Sequence, residues 1–263
     1  MRGLDLSGRT ALVCGASRGI GRACAEALAE LGARVFVAAR SERDLAGTVA
    51  GLPADAGQNH GHLAIDLGDT DAVRAHACAL LERSGPIEIL VNNAGGPPAG
   101  TATGASPEQF EEAFRQHLLA AQILVQTLQP GMEERGYGRI VNIISTSVKQ
   151  PIPGLGVSNT IRGAVASWAK TIARELAPFG ITVNNVLPGF TDTERLRFFF
   201  GQRADATGVS VEEAQRRALA GVPAGRFAAP AEIAAAVAFL ASPAAGYVNG
   251  INLPVDGGML GCL

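Results

Sequence analysis

The 263-residue sequence lacks the features that mark membrane, exported and nucleic-acid-binding proteins. No apolar run reaches the roughly 18 residues of a membrane-spanning helix, and the segment Met1–Gly8 contains no apolar signal core. The net charge of −2 is spread over interspersed acidic and basic residues, so no basic stripe predicts contact with nucleic acid or an anionic membrane. We therefore expect a soluble cytoplasmic protein.

Cysteine is scarce, and its spacing excludes the usual cysteine-based sites. The four residues lie far apart, at Cys14, Cys24, Cys78 and Cys262. No CxxC pair or metal-ligand spacing occurs, which is typical of a reduced cytosolic protein. His60 and His62 form an HxH pair without an apparent third ligand, so we predict no metal site.

A short apolar strand runs directly into a glycine-rich turn near the start of the chain. The strand is predicted at Thr10–Cys14, and apolar residues recur at helical spacing from Ile20 to Leu31. The predicted phosphate-binding residues of this turn are Gly15, Ser17, Arg18, Gly19, Ile20 and Gly21. Glycine lets the backbone approach a pyrophosphate, and the helix N-terminus attracts its negative charge. The alternative is a purely structural tight turn.

The residues after the second predicted strand favour NADP over NAD. The strand Arg34–Ala38 is followed by Ala39 and Arg40, at the position that usually meets the adenosine ribose. A carboxylate there would favour NAD, whereas Arg40, together with Arg18, can bind a 2′-phosphate. The alternative is two solvated surface arginines, and NAD then stays possible.

Further strands and helices alternate along the chain. A third strand ends at Asp66–Leu67, where the Asp66 carboxylate can accept a hydrogen bond from the adenine amino group, and a fourth ends at Asn92. This alternation predicts right-handed βαβ units, hence an α/β fold with a parallel sheet whose ligands bind at the carboxyl ends of the strands. We find no linker or repeat, so residues 1–263 are expected to form a single domain.

The stretch from Ile140 to Val165 has the outline of an active site. A buried strand leads through Ser145 and a Pro/Gly loop into a helix that carries Ser158 and Arg162. Residues four apart share one helix face, so Ser158 and Arg162 are expected to project toward the end of the strand that carries Ser145. Lys149 lies in the loop between them and is either a replacement acid or a plain solvated lysine.

The pattern loosens after the sixth predicted strand, Ile181 to Leu187. Residues 190–226 contain three consecutive phenylalanines, several arginines and a capping box at Ser210–Glu213. Three phenylalanines in a row cannot share one helix face, which suggests a lid, a substrate wall or a subunit contact. We expect short mobile helices that form a substrate-side lid.

With these motifs placed, the whole chain resembles the short-chain dehydrogenase/reductase superfamily, and most of all its 3-oxoacyl-carrier-protein reductase-like members. The motifs that carry the resemblance are the GxxxGxG of Gly15, Gly19 and Gly21, the run Asn92-Asn93-Ala94-Gly95, Pro188-Gly189, and Asp256-Gly257-Gly258. The resemblance implies a Rossmann-type, doubly wound sheet of about seven strands with helices on both faces. It also implies a nicotinamide cofactor, hydride transfer between that cofactor and a small carbonyl or alcohol substrate, and a homotetramer or homodimer.

The resemblance extends to individual cofactor-binding positions. It implies that Asn92 to Gly95 brace the cofactor cleft, with Asn93, Ala94 and Gly95 binding the cofactor, and that Thr193 meets the nicotinamide carboxamide. Further positions implied to line the cofactor are Pro188, Gly189, Thr191, Leu67 and Arg162. The family threonine ahead of the first glycine is Cys14 here, which removes one hydrogen bond that tethers a strand.

The catalytic set departs from the family pattern. Ser145 matches the family serine, but the YxxxK motif is replaced by Ser158 and Arg162, and the helix asparagine corresponds to His117. A serine hydroxyl is much less acidic than a phenol, and a guanidinium is unsuited to shuttling protons. Three functions stay open: a reductase or dehydrogenase with an altered proton donor, a dinucleotide-binding sensor or scaffold that lost the chemistry, and a lyase or isomerase acting on an acidic substrate held by Arg162.

Overall fold

A parallel β-sheet forms the centre of the computed structural model, which describes residues 3–55 and 57–262. Its strands are β1 (Thr10–Cys14), β2 (Arg34–Ala39), β3 (Gly61–Ala64), β4 (Ile89–Asn92), β5 (Gly138–Ile143), β6 (Ile181–Pro188) and β7 (Asn252–Val255). Within the described residues, seven strands pair in the order β3-β2-β1-β4-β5-β6-β7, and every pairing is parallel. The predicted α/β fold with about seven strands is therefore confirmed.

Helices cover both faces of this sheet. They are α1 (Gly19–Glu30), α2 (Glu42–Ala50), α3 (Thr70–Ser84), α4 (Pro107–Phe114), α5 (Ala120–Arg135), α6 (Gly156–Leu176), α7 (Glu194–Thr207), α8 (Val211–Leu219) and α9 (Pro230–Ala241). One core lies where α1 and α9 pack together over the sheet, around Leu28 and Val237. The other lies under α3, α5 and α6, around Leu80 and Leu128. Because both faces are buried, the central strands are almost continuously apolar.

The strand order places a switch point between β1 and β4. The chain moves from β1 outward to β3 and then returns to build β4 to β7 on the other side of β1. Connections from β1 and β4 therefore leave in opposite directions, which opens a crevice at the carboxyl ends of the two strands. The glycine turn after β1 and the segment after β4 both lie at this crevice.

The helix that carries His117 is not uniform. The sequence predicts one long helix from Ser106, and Gln109 does accept a hydrogen bond from the Ser106 N–H at 3.0 Å. Between α4 and α5, however, residues Arg115–Leu119 form a π-helical turn, with His117 at its centre. Such a turn inserts an extra residue and often marks a functional site.

Four asparagines link β4 to β7 through their side chains. In register across the sheet, Asn92 donates to Asn142 at 2.8 Å, Asn142 to Asn185 at 2.9 Å, and Asn185 to Asn252 at 2.8 Å. Because Asn142 and Asn185 are buried, the bonds of the ladder satisfy amide groups that would otherwise be costly to bury. The ladder fixes the sheet beneath the crevice.

The described part of the chain contains no helix long and apolar enough to cross a bilayer. It also contains no group of three or more histidine, cysteine, aspartate or glutamate side chains that could hold a metal ion. His60 contacts backbone instead: Nδ1 accepts from the Val35 N–H at 3.0 Å.

Candidate active site

The turn between β1 and α1 has the geometry of a phosphate cradle. Gly15 and Gly19 have φ angles of 61° and 56°, a region that residues with a side chain rarely adopt. A Cβ on Gly21 would overlap the Gly15 carbonyl, so the turn closes only around glycine. Arg18, at the N-cap of α1, makes no side-chain capping bond. The first N–H groups of α1 are thus left to bind an anion.

Asn93 connects this turn to the end of β4. Its Nδ2 donates to the carbonyls of Cys14 and Gly15 at 3.3 and 3.2 Å. Burial raises the pKa of the Cys14 thiol to about 12, so the thiol stays neutral in the core. Ala94 and Gly95 follow Asn93 along the same edge of the crevice. The cross-link holds the two sides of the switch point in register.

Arg18 and Arg40 lie on the adenosine side of the crevice. Arg40 directly follows β2 and is exposed. Arg18 is engaged by the lid segment, because its Nη1 lies 2.5 Å from Glu194 Oε2, with both side chains mostly exposed. Ser17 and Ile20 are half-buried next to it. Arg40 is therefore the arginine with the freer access to a 2′-phosphate.

Asp66 and Leu67 follow β3, again at the carboxyl edge. Asp66 is exposed, and its Oδ1 accepts from the Gly68 N–H at 2.8 Å. That bond orients the carboxylate while leaving Oδ2 to accept from a ligand. Leu67 is half-buried and lines an interior cavity under the crevice.

Arg162 places a buried positive charge at the end of β5. Its Nη1 donates to the Ile143 carbonyl at 2.6 Å, and its Nε is buried without a hydrogen-bond partner among residues 3–55 and 57–262. Burial, together with repulsion by Arg195, lowers the pKa of Arg162 to about 10. The guanidinium is still charged at neutral pH. Ile143 is two residues before Ser145, so Arg162 and Ser145 meet at one strand end.

The other predicted catalytic residues lie around this strand end. Ser145 begins a 3₁₀ turn, and its Oγ accepts from the Ser147 N–H at 3.1 Å. Lys149 ends that turn, and Ser158 lies in the first turn of α6; both are half-buried. Their placement agrees with a shared site, while their catalytic roles stay predictions.

A wall beside Ser158 comes from the segment between β4 and α4. The Gly100 N–H donates to the Gly154 carbonyl at 2.7 Å, and the Gly156 N–H donates to the Gly100 carbonyl at 2.9 Å. A Cβ on Gly156 would overlap the backbone of Ala102. The start of α6 and this segment therefore pack backbone to backbone.

The segment after β6 reaches back to the glycine turn. Pro188 ends β6, and the Thr191 hydroxyl donates to the Gly189 carbonyl at 3.3 Å. Thr193 caps α7, and its methyl group would lie 3.3 Å from a Cβ on Gly19. Thr193 thus lies next to the cradle, while the cofactor roles of Pro188, Gly189, Thr191 and Thr193 stay predictions.

The three consecutive phenylalanines have different surroundings. Phe200 is fully buried, with its ring centroid 5.8 Å from Phe190 and 5.6 Å from Phe227. Phe198, in contrast, is 66% exposed. The cluster anchors α7 to the rest of the fold. Helices are present where the sequence predicts the lid; its mobility stays a prediction.

A small interior cavity lies between His117 and Arg162. Its volume is about 20 Å³, enough for one water molecule. Asn92 and Asn142 of the asparagine ladder also line it. His117 Nε2 is buried and has no hydrogen-bond partner among the described residues. Sequence reasoning missed the ladder, although asparagine inside an apolar strand is a signal that could have revealed it.

His117 is neutral in the folded protein. Burial and the charge of Arg162 lower its pKa from 6.5 to about 3; a hydrogen bond with the Gly95 backbone opposes this change, and Arg195 adds to it. The histidine therefore adds no positive charge to the site at neutral pH.

We expect His117 to make the protein sensitive to acid. Between pH 6.5 and about 3 the unfolded chain binds a proton that the folded chain does not, so the free energy of unfolding should fall as pH falls through this window. The contribution is about 1.4 kcal/mol per pH unit. Urea unfolding at several pH values gives the slope of the unfolding free energy against pH. This slope should be shallower for His117→Asn than for the wild type. It should be unchanged for His76→Asn, which alters an exposed histidine on α3. Equal slopes for all three proteins would contradict the assignment.

The doubly wound parallel sheet, the glycine cradle at its switch point and the polar site at the end of β5 define a dinucleotide-dependent oxidoreductase of the α/β class. A family model described as enoyl-(acyl carrier protein) reductase matches residues 15–260. The chain belongs to the short-chain dehydrogenase/reductase superfamily, as the sequence motifs predict, and is an oxidoreductase of that superfamily.

The similar proteins include reductases and dehydrogenases. The chain is 36% identical to the 3-oxoacyl-[acyl-carrier-protein] reductase FabG of Vibrio harveyi over 258 residues, which is 97% of this chain and 99% of that one. The L-sorbose reductase of Gluconobacter frateurii, solved with NADPH and L-sorbose, is 31% identical with a TM-score of 0.93, covering 99% of each chain. A variant actinorhodin polyketide ketoreductase, solved with NADPH, is 37% identical with a TM-score of 0.89, covering 95% of this chain and 97% of that one.

Proposed function

We propose that this protein is an NADPH-dependent reductase of a carbonyl group on a small molecule, similar to 3-oxoacyl-carrier-protein reductases but with a different proton donor. The observation that carries the proposal is the intact cradle at Gly15–Gly21, cross-linked by Asn93 and facing a buried cation, Arg162, at the end of β5. A scaffold without chemistry has no need for a charge buried at that position, since burying it is costly.

The cradle fits a dinucleotide. The glycine turn and the free N–H groups of α1 would hold the pyrophosphate, Asp66 the adenine and Arg40 the 2′-phosphate. A bound nicotinamide supplies the hydride for a carbonyl carbon. NADP as the cofactor is supported by Arg40 at the end of β2 and by the NADPH bound in two of the similar structures.

The residues at the end of β5 have separable roles in this proposal. Ser145 donates a hydrogen bond to the substrate carbonyl oxygen, and Arg162 stabilises the negative charge that develops there. Ser158 is too weak an acid to supply the proton. Lys149, at the end of the turn that Ser145 begins, is assigned that task because an ammonium can release a proton and a guanidinium cannot do so readily. Residues 190–226, with Thr193 beside the glycine turn, form the lid over the site.

We expect Arg40→Gln to weaken NADPH binding about tenfold while leaving NADH binding unchanged, because one charged hydrogen bond to phosphate is lost. Cofactor titrations by fluorescence measure both affinities. Arg174→Gln is the control, since Arg174 is an exposed arginine on α6. If Arg40→Gln weakened NADH as much as NADPH, the 2′-phosphate assignment would be wrong.

A titration followed by a turnover screen tests the whole proposal. NADPH should bind, and absorbance at the NADPH band should decrease with at least one member of a set of 3-oxo esters, aldehydes, quinones and ketoses. NADPH binding without turnover of any compound would favour the sensor or scaffold function. If neither NADPH nor NADH bound, both functions would be excluded.

A further inference from the structure

Two arginines of the site, Arg195 and Arg162, form no ion pair with an acidic side chain among the described residues. Arg195, on the first turn of α7, donates from Nη2 to the Pro97 carbonyl at 3.0 Å, and its guanidinium lies against Gly96, where a Cβ would be 2.5 Å from Nη2. Arg162 donates to the Ile143 carbonyl. Neither forms an ion pair with a carboxylate in the part of the chain that the structure describes.

The neighbouring arginine on α7 shows the contrast. Arg197 lies two residues further along the same helix and pairs with Asp192 at 3.2 Å, on the solvent side. Arg18 likewise pairs with Glu194. Arg195 lies between these pairs in the sequence, yet among residues 3–55 and 57–262 its hydrogen-bond acceptor is the Pro97 carbonyl, in the segment that follows β4. The two acidic side chains nearest to Arg195 in the sequence, Asp192 and Glu194, are thus paired with other arginines.

The charges of the two arginines influence each other. Desolvation lowers the pKa of Arg195, and Arg195 in turn contributes to the lowered pKa of Arg162. Burial is the main cause of the lowered pKa of His117, and the charges of both arginines act in the same direction. Both side chains flank the segment that follows β4, since Arg195 contacts Gly96 and Pro97 and Arg162 lines a cavity together with Asn93 and Ala94. Like charges on one segment of a partly dry site repel each other, and a bound anion would relieve the repulsion.

The cofactor does not supply this anion. In the proposed function its phosphates are held by the glycine turn and by Arg40, and its nicotinamide end carries no negative charge. The anion that would balance the charges of Arg195 and Arg162 therefore belongs to the substrate. Arg162 also has a buried Nε without a partner among the described residues, which is a donor available to that molecule.

We propose that the substrate is a small oxo acid whose carboxylate binds between Arg195 and Arg162. This inference rests on the proposed function and narrows its substrate class. The carbonyl carbon gains the hydride, the carbonyl oxygen gains the proton, and the carboxylate leaves unchanged. Arg195 is a specificity-determining residue, because a neutral ester would leave both guanidiniums uncompensated.

Matched acid and ester pairs test the proposal. The probes are 3-oxobutanoate and 3-oxohexanoate with their methyl esters, and kcat/KM is measured with saturating NADPH. We expect the acids to be preferred by about tenfold or more, the size of one charge-assisted interaction. A preference for the esters, or none, would overturn the oxo-acid proposal while leaving the reductase function intact.

Variants of α7 make the test specific. Arg195→Gln should raise KM for the acids about tenfold with little change in kcat or in the ester kinetics, because a binding charge is removed. Arg195→Lys should restore part of the difference. The control is Arg197→Gln, on the same helix, which should behave as wild type. Equal losses for acids and esters in Arg195→Gln would contradict a carboxylate site.

A binding measurement separates the two proposals if no turnover occurs. Calorimetry with the protein–NADPH complex compares 3-oxohexanoate with its methyl ester. Binding of the acid alone, lost in Arg195→Gln, supports the anion site even though the reductase function fails. Absence of acid binding overturns it.

Discussion

Replacement of Gly21 by alanine is expected to weaken NADPH binding by about 100-fold and to destabilise the fold by about 1–3 kcal/mol, the usual cost of overpacking. The physical reason is local. The added Cβ would overlap the Gly15 carbonyl and lie 2.8 Å from Asn93 Nδ2. The turn must therefore open, and both the cradle and its cross-link to β4 are disturbed. Fluorescence titration with NADPH and urea unfolding measure the two effects.

A second glycine provides the matched control. Gly47 lies inside α2 with nothing within 4 Å of a built Cβ. Gly47→Ala should keep full NADPH affinity and gain up to about 1 kcal/mol of stability, because alanine favours a helix. If Gly21→Ala bound NADPH as tightly as Gly47→Ala, the glycine turn would not be the phosphate site.

Arg162→Met is expected to lower kcat/KM for carbonyl reduction by about 100-fold, in the range that follows loss of one preorganised electrostatic group. Methionine fills a similar volume without a charge, so the fold should survive, since replacing a buried charge by an apolar residue is often neutral. Arg162→Lys keeps the charge and should lose much less activity. Steady-state kinetics and thermal unfolding of the same samples separate catalysis from stability.

Restoring the family motif is the complementary experiment. Ser158→Tyr combined with Arg162→Lys should not raise activity on the native substrate, because the surroundings of the site suit the smaller serine and the longer guanidinium. A large gain in activity would instead show that the site is an ordinary one that lost its proton donor.

For the Arg162→Met variant, an unchanged kcat/KM would contradict the catalytic role that we assign to the buried Arg162 guanidinium.

Much of the fold follows from patterns within short stretches of sequence. The strand Thr10–Cys14 is found as predicted, because its side chains are all apolar or small and its end is set by Gly15. The sequence predicts a third strand that extends to Asp66, whereas β3 ends at Ala64. Ladder hydrogen bonds depend on the neighbouring strand, and β2 pairs only as far as Ala39. The residue at which a strand ends is therefore predicted poorly by the short stretch of sequence around it.

The electrostatics of the site could not be predicted in the same way. The ion pair of Arg18 with Glu194 joins residues 176 positions apart, and the contact of Arg195 with Pro97 joins residues 98 positions apart. In the sequence Arg195 is one of several arginines of the 190–226 segment. Only the packing of α7 against the segment after β4 distinguishes it from Arg197. The π-helical turn at His117 likewise leaves no recognisable pattern.

The most direct test of the central claim is hydride transfer itself. NADPH carrying deuterium at the transferred position of nicotinamide C4 is incubated with the protein and a substrate found in the turnover screen, and the product is examined by mass spectrometry. Reduction by the proposed route predicts one deuterium on the former carbonyl carbon and an equal loss of NADPH. Tight NADPH binding with no deuterium in any product would contradict a reductase.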